Sequence, residues 1–302
     1  MNIIFGPINS RRFGFSLGID LSPALKQCNF DCVYCELKQA KAIAKMDYIV
    51  GVKDIIEQLQ FFLAKKIPFD VLTLTANGEP SLYPNLKELI TALRELKLDK
   101  KILILSNGTA VLNEMQFNAL LDLDMVKLSL DSVIKESFLR INKPLKEIDL
   151  HLMIEKMITF SKIFKGELII EILVVKGIND NEKEFKALNE VLQKINPTRV
   201  DISTIDRPPS YPVKGVSEEK LLDLSLFIEN IPVFIARRNE KKQNMEFSTD
   251  ELLKMLELRA QSEVDVNTLL SFNTQKILQD LVKKGLVKIY TLGGVIFYKV
   301  DK

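Results

Sequence analysis

The chain of 302 residues is short of the side chains that most often build metal and disulfide frameworks: three cysteines, one histidine and no tryptophan. An odd number of cysteines, all within the octapeptide Cys28-Asn29-Phe30-Asp31-Cys32-Val33-Tyr34-Cys35, excludes a disulfide scaffold. The spacings are too short for one, and a chain this long needs no staple. Long apolar runs are missing too. The longest, such as residues 168–175, have strand length and fall far short of a membrane span. Met1-Asn2-Ile3-Ile4 leads directly into Gly6-Pro7 without the segments of a signal peptide, so a cytoplasmic protein is expected. Neither charge sign dominates: 42 Lys and Arg against 40 Asp and Glu leave +2, which neither demands nor excludes a nucleic-acid partner. With 47% hydrophobic and 27% charged residues, the composition is that of an ordinary globular chain holding one large domain and a small one.

What is present is concentrated sulfur. Three soft thiolates on one short loop can hold three irons of a cubane iron–sulfur cluster and leave the fourth without a protein ligand. An iron with open positions is a place for chemistry, whereas a cluster held by four cysteines serves mainly as an electron relay. The alternative is structural zinc, which wants four ligands. His151 lies more than a hundred residues away in a helical segment, so a fourth ligand would have to be Asp31 or Glu36.

The pattern C-x3-C-x2-C, with Tyr34 before the last cysteine, resembles the signature of the radical S-adenosylmethionine (SAM) enzymes. The resemblance implies one 4Fe-4S cluster on Cys28, Cys32 and Cys35, with the amino and carboxylate groups of SAM chelating the open iron. It also implies reductive cleavage of SAM to methionine and a 5′-deoxyadenosyl radical that abstracts hydrogen from substrate. An electron donor such as flavodoxin or ferredoxin follows from the same resemblance.

Six apolar runs rich in β-branched residues (15–21, 70–75, 101–106, 125–130, 168–175 and 199–205) predict strands. Between them lie amphipathic helical segments, such as Val52-Ile55-Ile56-Leu59-Phe62-Leu63 and Phe185-Leu188-Val191-Leu192-Ile195. Continuous apolar strands alternating with such helices imply a helix-covered parallel sheet. The expected fold class is α/β, a partial (β/α)6 barrel of TIM type such as radical SAM enzymes have, with a doubly wound sheet as the alternative. Residues 1–236 form that barrel in this reading. The polar run Arg237-Arg238-Asn239-Glu240-Lys241-Lys242-Gln243-Asn244 opens a linker over 237–247. Beyond it, helices from Ser248 or Thr249 to about Ala260, over 264–270 and over 274–284 precede a hairpin turning at Gly293-Gly294. That order resembles a winged helix-turn-helix over 248–302.

In a parallel barrel the chemistry sits where the strands end. After the second run comes Ala76-Asn77-Gly78-Glu79-Pro80, which resembles the family's Gly-Gly-Glu motif with Asn77 in place of the first glycine. The resemblance assigns this turn to the ammonium of SAM, though Gly and Pro serve any β-to-α turn. Ser106-Asn107 ends the third run and suits hydroxyl or carboxylate recognition. Lys127, Ser129 and Asp131 share one face of the fourth by the period of two. By resemblance Ser129 and its neighbours meet the SAM carboxylate or ribose, Tyr34 lies against the nucleoside, and Val175 packs on adenine. Glu171, in an otherwise apolar strand, is a paired interior carboxylate or a rim residue.

Gly6-Pro7-Ile8-Asn9-Ser10-Arg11-Arg12 and Asp206-Arg207-Pro208-Pro209 resemble bacterial relatives of the wyosine-tRNA synthase branch over roughly the first 210 residues. Arg11 and Arg12 are expected to brace the cluster loop; Arg207 either does so or holds an anionic substrate. The chain departs from the archaeal members of that branch, which use a second cluster on three further cysteines. A Schiff-base lysine at Lys127 or Lys176 is conceivable. The last 55 residues carry eight Lys or Arg against seven Asp or Glu, a weak excess for a nucleic-acid binder. The module can therefore meet tRNA or dock a protein. Alternatives to tRNA modification are an activase that places a radical on a protein partner and, in another class, a winged-helix DNA binder with a sensing cluster.

Overall fold

In the computed structural model, residues 3–235, 244–292 and 295–300 are described. Eight strands form one sheet in sequence order: β1 (Ile4–Ser10), β2 (Gly14–Asp20), β3 (Val71–Thr75), β4 (Lys101–Ser106), β5 (Met125–Ser129), β6 (Glu167–Val174), β7 (Arg199–Thr204) and β8 (Val233–Ile235). β1 pairs antiparallel with β2, and every later pair is parallel. Helices α1 (Val52–Ala64), α2 (Leu86–Glu95), α3 (Glu114–Leu120), α4 (Lys135–Asn142), α5 (Leu150–Ile163), α6 (Glu182–Ile195) and α7 (Glu218–Ser225) fill the connections. A strand order that never reverses keeps right-handed crossovers, and hence the helices, on one face. A doubly wound sheet needs a reversal, so that alternative falls.

The helices form where the sequence alternates at helical spacing. α1 buries Ile55, Leu59 and Phe62, and α2 buries Leu86, Leu89, Ile90 and Leu93. α6 starts at Asn181, whose side chain accepts from the Glu184 amide, and ends at Asn196 in a left-handed conformation. These stripes pack on Leu17, Leu72, Ile104, Val126, Ile170 and Ile202, all fully buried, each contributing roughly 1.5–3 kcal/mol of transfer free energy. The other face of the strands looks into the lumen. Val71, Leu103, Met125 and Ile169, packed on Phe13 from the β1–β2 turn, make its apolar floor. Above the floor, the same face carries Thr73, Lys127, Glu171 and Asp201.

All six expected strands occur, but β1 and β8 were not foreseen. β1 holds Pro7 and its register shifts between Phe5 and Ile8, so its pattern is broken, as an edge strand tolerates. β8 has three residues, too few for a periodic signal.

After residue 243 come α8 (Thr249–Leu258), β9 (Gln261–Ser262), α9 (Glu263–Leu269), α10 (Phe272–Lys283), β10 (Lys288–Leu292) and β11 (Val295–Lys299). The three strands form a small antiparallel sheet in the order β10-β11-β9. Ser248 closes a capping box with Glu251 at the start of α8. The turn at Gly293-Gly294 and most of the expected linker lie outside the described residues. Leu252, Met255, Leu256, Leu269, Leu278 and Leu281 share a core that also takes in Ile8 of β1. Lys254 Nζ lies 2.8 Å from Asp20 Oδ2 at the end of β2, and Arg207 Nε donates to the Ala260 carbonyl at 2.9 Å. Lys299 donates to the carbonyl of Glu36, one residue past Cys35.

Candidate active site at the mouth of the lumen

Backbone hydrogen bonds hold the cysteine loop on two sides. Gln27 makes a parallel bridge to Gly78: its amide donates to the Asn77 carbonyl, and its carbonyl accepts from the Glu79 amide, both at 2.9 Å. Gly78 adopts φ +142°, and a Cβ there would stand 1.9 Å from the Gln27 carbonyl oxygen, so only glycine permits this approach. On the opposite side, Asp31 and Val33 donate to the carbonyls of Asn142 and Ile141 at 3.1 and 2.8 Å. Ser210 donates to the Cys35 carbonyl at 2.9 Å. The loop is thus clamped between the ends of β3, α4 and the segment after β7.

The three thiols are half-buried and free. Burial, with Glu79 nearby, pushes the Cys28 thiol up to about 12, and burial pushes Cys32 and Cys35 up as well. Such a pocket disfavours thiolates unless positive charge joins them, as iron does. The Phe30 amide donates to Cys28 Sγ at 3.4 Å, and Asn142 Nδ2 to Cys32 Sγ at 3.6 Å, contacts of the kind that tune cluster sulfurs. Among the described residues, no three His, Cys, Asp or Glu side chains gather closely enough to hold one metal ion. Sulfurs that each take a separate iron of a cube need not converge, whereas zinc ligands must. The donor set fits the cluster.

Most of the predicted side chains fall into two groups. In the first, Glu79 is buried and accepts from the amides of Asn107 at 2.7 Å and Ser81 at 2.9 Å; burial raises its carboxyl. Pro80 opens a short 3-10 turn. The Asn77 amide donates to Asp20 Oδ1 at 2.8 Å. Asn107 Nδ2 donates to Asn29 at 2.7 Å and comes within 4.0 Å of Cys28 Sγ, and Ser106 Oγ accepts from the Gly108 amide. These residues all back the cluster loop.

The second group lines a cavity of about 330 Å3 that contains Tyr34, Cys35, Ser129, Asp131, Glu171 and Arg207. The Tyr34 hydroxyl donates to Asp131 Oδ2 at 2.7 Å, so its polar end is committed to the protein. Asp131 also accepts from Asn142 Nδ2 and the Leu173 amide, and burial raises its carboxyl to about 6. Beyond Glu171 a second cavity of about 240 Å3 reaches the β2–β4 side. Between the two runs an ionic layer. Lys127 lies 2.9 Å from Glu171 and 3.3 Å from Asp201, and Arg12 lies 2.8 and 3.2 Å from the same carboxylates. Burial alone would push Glu171 up, but Lys127 and Arg12 bring it down to about 2. Glu171 is therefore the paired interior carboxylate.

Several expectations are corrected. Arg11 and Arg12 do not touch the cluster loop; Arg11 pairs with Asp206, and Arg12 ties the β1–β2 turn to β6 and β7. Val175 lies in an apolar cluster with Val33 and Ile141 that packs against Tyr34, Leu173 and Ile205 of the first cavity's lining, without lining that cavity itself. Lys176 is exposed to solvent and lines neither cavity. Arg207 is spent on Asp206, Glu36 and the Ala260 carbonyl.

Four contributors went unread. Asn142 carries no motif beyond the Lys143-Pro144 that follows its helix. Asp201 was legible as a lone carboxylate at alternate spacing in β7. Leu258 and Arg259 wall the second cavity from the C-terminal module, which no local pattern reveals. A cleft of about 770 Å3 outside the mouth is lined by Lys26, Lys38, Pro208, Lys288, Tyr290 and Lys299 among others.

A sequential parallel α/β sheet with an open sulfur triad at the mouth of its lumen defines a class, and comparison with known proteins agrees. The model of the radical SAM superfamily matches residues 23–188. A UPF0026 protein of Helicobacter pylori is 42% identical over 98% of this chain and 97% of its own. A radical SAM methyltransferase from Sphaerobacter thermophilus shares the fold with a TM-score of 0.56 at 13% identity, over 73% of this chain and 66% of that one. Streptococcus suis SuiB bound to precursor peptide SuiA does so at 0.57 and 16%, over 74% and 50%. The chain belongs to the radical SAM superfamily. Membership makes it an enzyme of SAM-cleaving radical chemistry and implies a 4Fe-4S cluster and SAM. Among the described residues no helix is long and apolar enough to cross a membrane.

Proposed function

We propose that Cys28, Cys32 and Cys35 hold a single 4Fe-4S cluster and that the enzyme abstracts hydrogen from a nucleoside of tRNA inside the lumen. The observation that carries the site assignment is the backbone bridge from Gln27 to Gly78, which sets the cysteine loop and the Asn77–Pro80 turn side by side. When bound, the cluster and SAM supply a reductively generated 5′-deoxyadenosyl radical. The protein's part is positioning. Asn107 and Asn142 steady the sulfurs, the Asn77–Pro80 turn offers backbone groups to the SAM ammonium, and Ser129 with Asp131 edges the cavity where the nucleoside lies. Tyr34 orients Asp131 by its hydroxyl, leaving only its ring for the nucleoside. The Lys127–Glu171–Arg12 layer forms a rigid polar base to that cavity, and Lys127 serves there as an ion-pair partner. Electrons come from a flavodoxin- or ferredoxin-type donor in the cytoplasm.

The substrate reading draws support from the wyosine-branch motifs and from the cleft outside the mouth, whose lining carries four lysines against Glu36 and Glu257. The module over 248–302 is, in this proposal, a winged-helix unit joined through 237–247 to the barrel of 1–236. Its ties to Asp20 and Arg207 favour service to the barrel's own substrate over independent DNA reading.

Anaerobic reconstitution followed by dithionite and SAM tests the chemistry: 5′-deoxyadenosine and methionine are expected from the wild type and none from Cys32→Ala. Intact SAM at full cluster occupancy would falsify it. Crosslinking to cellular RNA, with nucleoside profiling of a deletion strain, tests the substrate. An unchanged profile with no enriched RNA removes tRNA and leaves a protein partner.

A further inference from the structure

The C-terminal module brings an arginine to the lumen that the ion pairs around it do not use. Arg259 follows directly on α8 and lines both the cavity of about 240 Å3 and a small adjoining niche that holds Asn9, Arg11, Asp206, Arg207 and Asp265. Its Nε is wholly enclosed and has no hydrogen-bond partner. Among the described residues, no carboxylate forms an ion pair with it.

The neighbouring charges are already engaged. Arg11 and Arg207 share Asp206, and Arg207 also reaches Glu36 at 3.8 Å. Asp265 accepts from the amide and hydroxyl of Ser262 at 3.0 and 2.8 Å, closing the capping box of α9. Three guanidiniums therefore stand among three carboxylates, Asp206, Glu36 and Asp265, yet none of the three forms an ion pair with Arg259. An enclosed guanidinium Nε without a hydrogen-bond acceptor is costly, and an anion entering the lumen relieves that cost. Burial, with Arg207 nearby, holds the Arg259 guanidinium down to about 9, a shift that a bound anion reverses.

We propose that Arg259 is the receptor for a carboxylate or phosphate group of a ligand held in the barrel lumen, so that the C-terminal module completes the active site. The inference deepens the functional reading above and rests on it only for the nature of that ligand. A guanidinium suits the task because its planar fork meets two oxygens at once. The anion has two sources, the carboxylate of SAM or an acidic group on a second ligand.

Isothermal titration of the cluster-loaded, unreduced protein with inorganic phosphate, with oxalate and separately with SAM distinguishes them. In R259Q, binding of at least one of the two small anions is expected to weaken tenfold or more, with part of the loss restored in R259K. Parallel weakening of SAM, with phosphate competing against it, identifies SAM's carboxylate as the occupant. Unaltered SAM affinity with lost anion binding identifies a second ligand. Wild-type protein that binds neither anion, or R259Q and R259K that bind both as wild type does, overturns the proposal. E36Q, compared by thermal melting, covers the purely structural role: loss of stability equal to that of R259Q, with anion affinity intact in both, also overturns it. No arm requires SAM turnover, so failure here is separable from failure of the radical chemistry.

Discussion

Removing the ammonium of Lys254 tests how the two cores communicate. Its Nζ sits 2.8 Å from Asp20 Oδ2, and the carboxylate is fully buried. Asp20 Oδ1 meanwhile accepts from the amides of Ser22 at 3.0 Å and Asn77 at 2.8 Å, so the same side chain holds the turn beside the cysteine loop. K254M leaves a buried carboxylate with two amide donors and no counter-ion. Breaking a buried pair from one side costs roughly 3–5 kcal/mol, and the surviving amides place this case at the lower end, about 3 kcal/mol. D20N strands the ammonium instead and is expected to cost a similar amount. D20N/K254M removes both charges and is expected to cost no more than either single, about 3 kcal/mol, so the double variant is more stable than the sum of the singles by about 3 kcal/mol. Urea denaturation at pH 7, followed by far-UV circular dichroism, measures the cycle. Iron content after reconstitution reports the secondary effect, a fall in cluster occupancy as the Asn77 amide loosens. Single variants within about 1 kcal/mol of wild type, or a cycle additive within about 0.5 kcal/mol, refute the reasoning.

Glu171 predicts an acid-sensitive layer. Its carboxyl is held from the ordinary 4.5 down to about 2, so the folded state keeps the charge where the unfolded chain takes up a proton. The stabilisation, about 3 kcal/mol, is fully present above pH ~4.5 and is lost as pH falls toward about 2. E171Q is expected to forfeit it at pH 7 and to flatten the stability profile between pH 5 and 2; an equally steep acid limb contradicts the assignment. Gly78→Ala is expected to abolish cluster assembly. Its Cβ must displace the Gln27 backbone, sacrificing two hydrogen bonds of about 1 kcal/mol each besides roughly 1–3 kcal/mol of strain. Normal iron content in that variant sinks the idea of a close backbone approach.

Much of the parallel sheet was legible because its determinants are local. Strands β2 to β7 bury one face on helices whose stripes recur at three and four residues, and both periods survive in the bare sequence. β1 and β8 were not legible, since an edge strand with a proline and a strand of three residues draw their pairing from neighbours rather than from pattern. The candidate site shows the same division. Cys28, Cys32 and Cys35 stand out by spacing, and Glu79, Asn107 and Asp131 by their place at strand ends. Arg11 and Arg12 looked like supports of the cysteine loop because they are near the amino terminus in a recognisable motif. Their partners Asp206, Glu171 and Asp201 arrive from strands far along the chain.

The amino-acid sequence alone determined the sulfur triad, the glycine at position 78 and the succession of strand and helix, because each depends on covalent spacing or on side chains a few residues apart. Tertiary structure alone decided which charges meet inside the lumen, that Lys176 points away from it while Lys127 is locked within, and that Leu258 and Arg259 wall it from the far end of the chain. Such pairings arise when neighbouring strands and the C-terminal module bring together groups separated by tens to hundreds of residues, and their energies come from burial, which no local sequence window encodes.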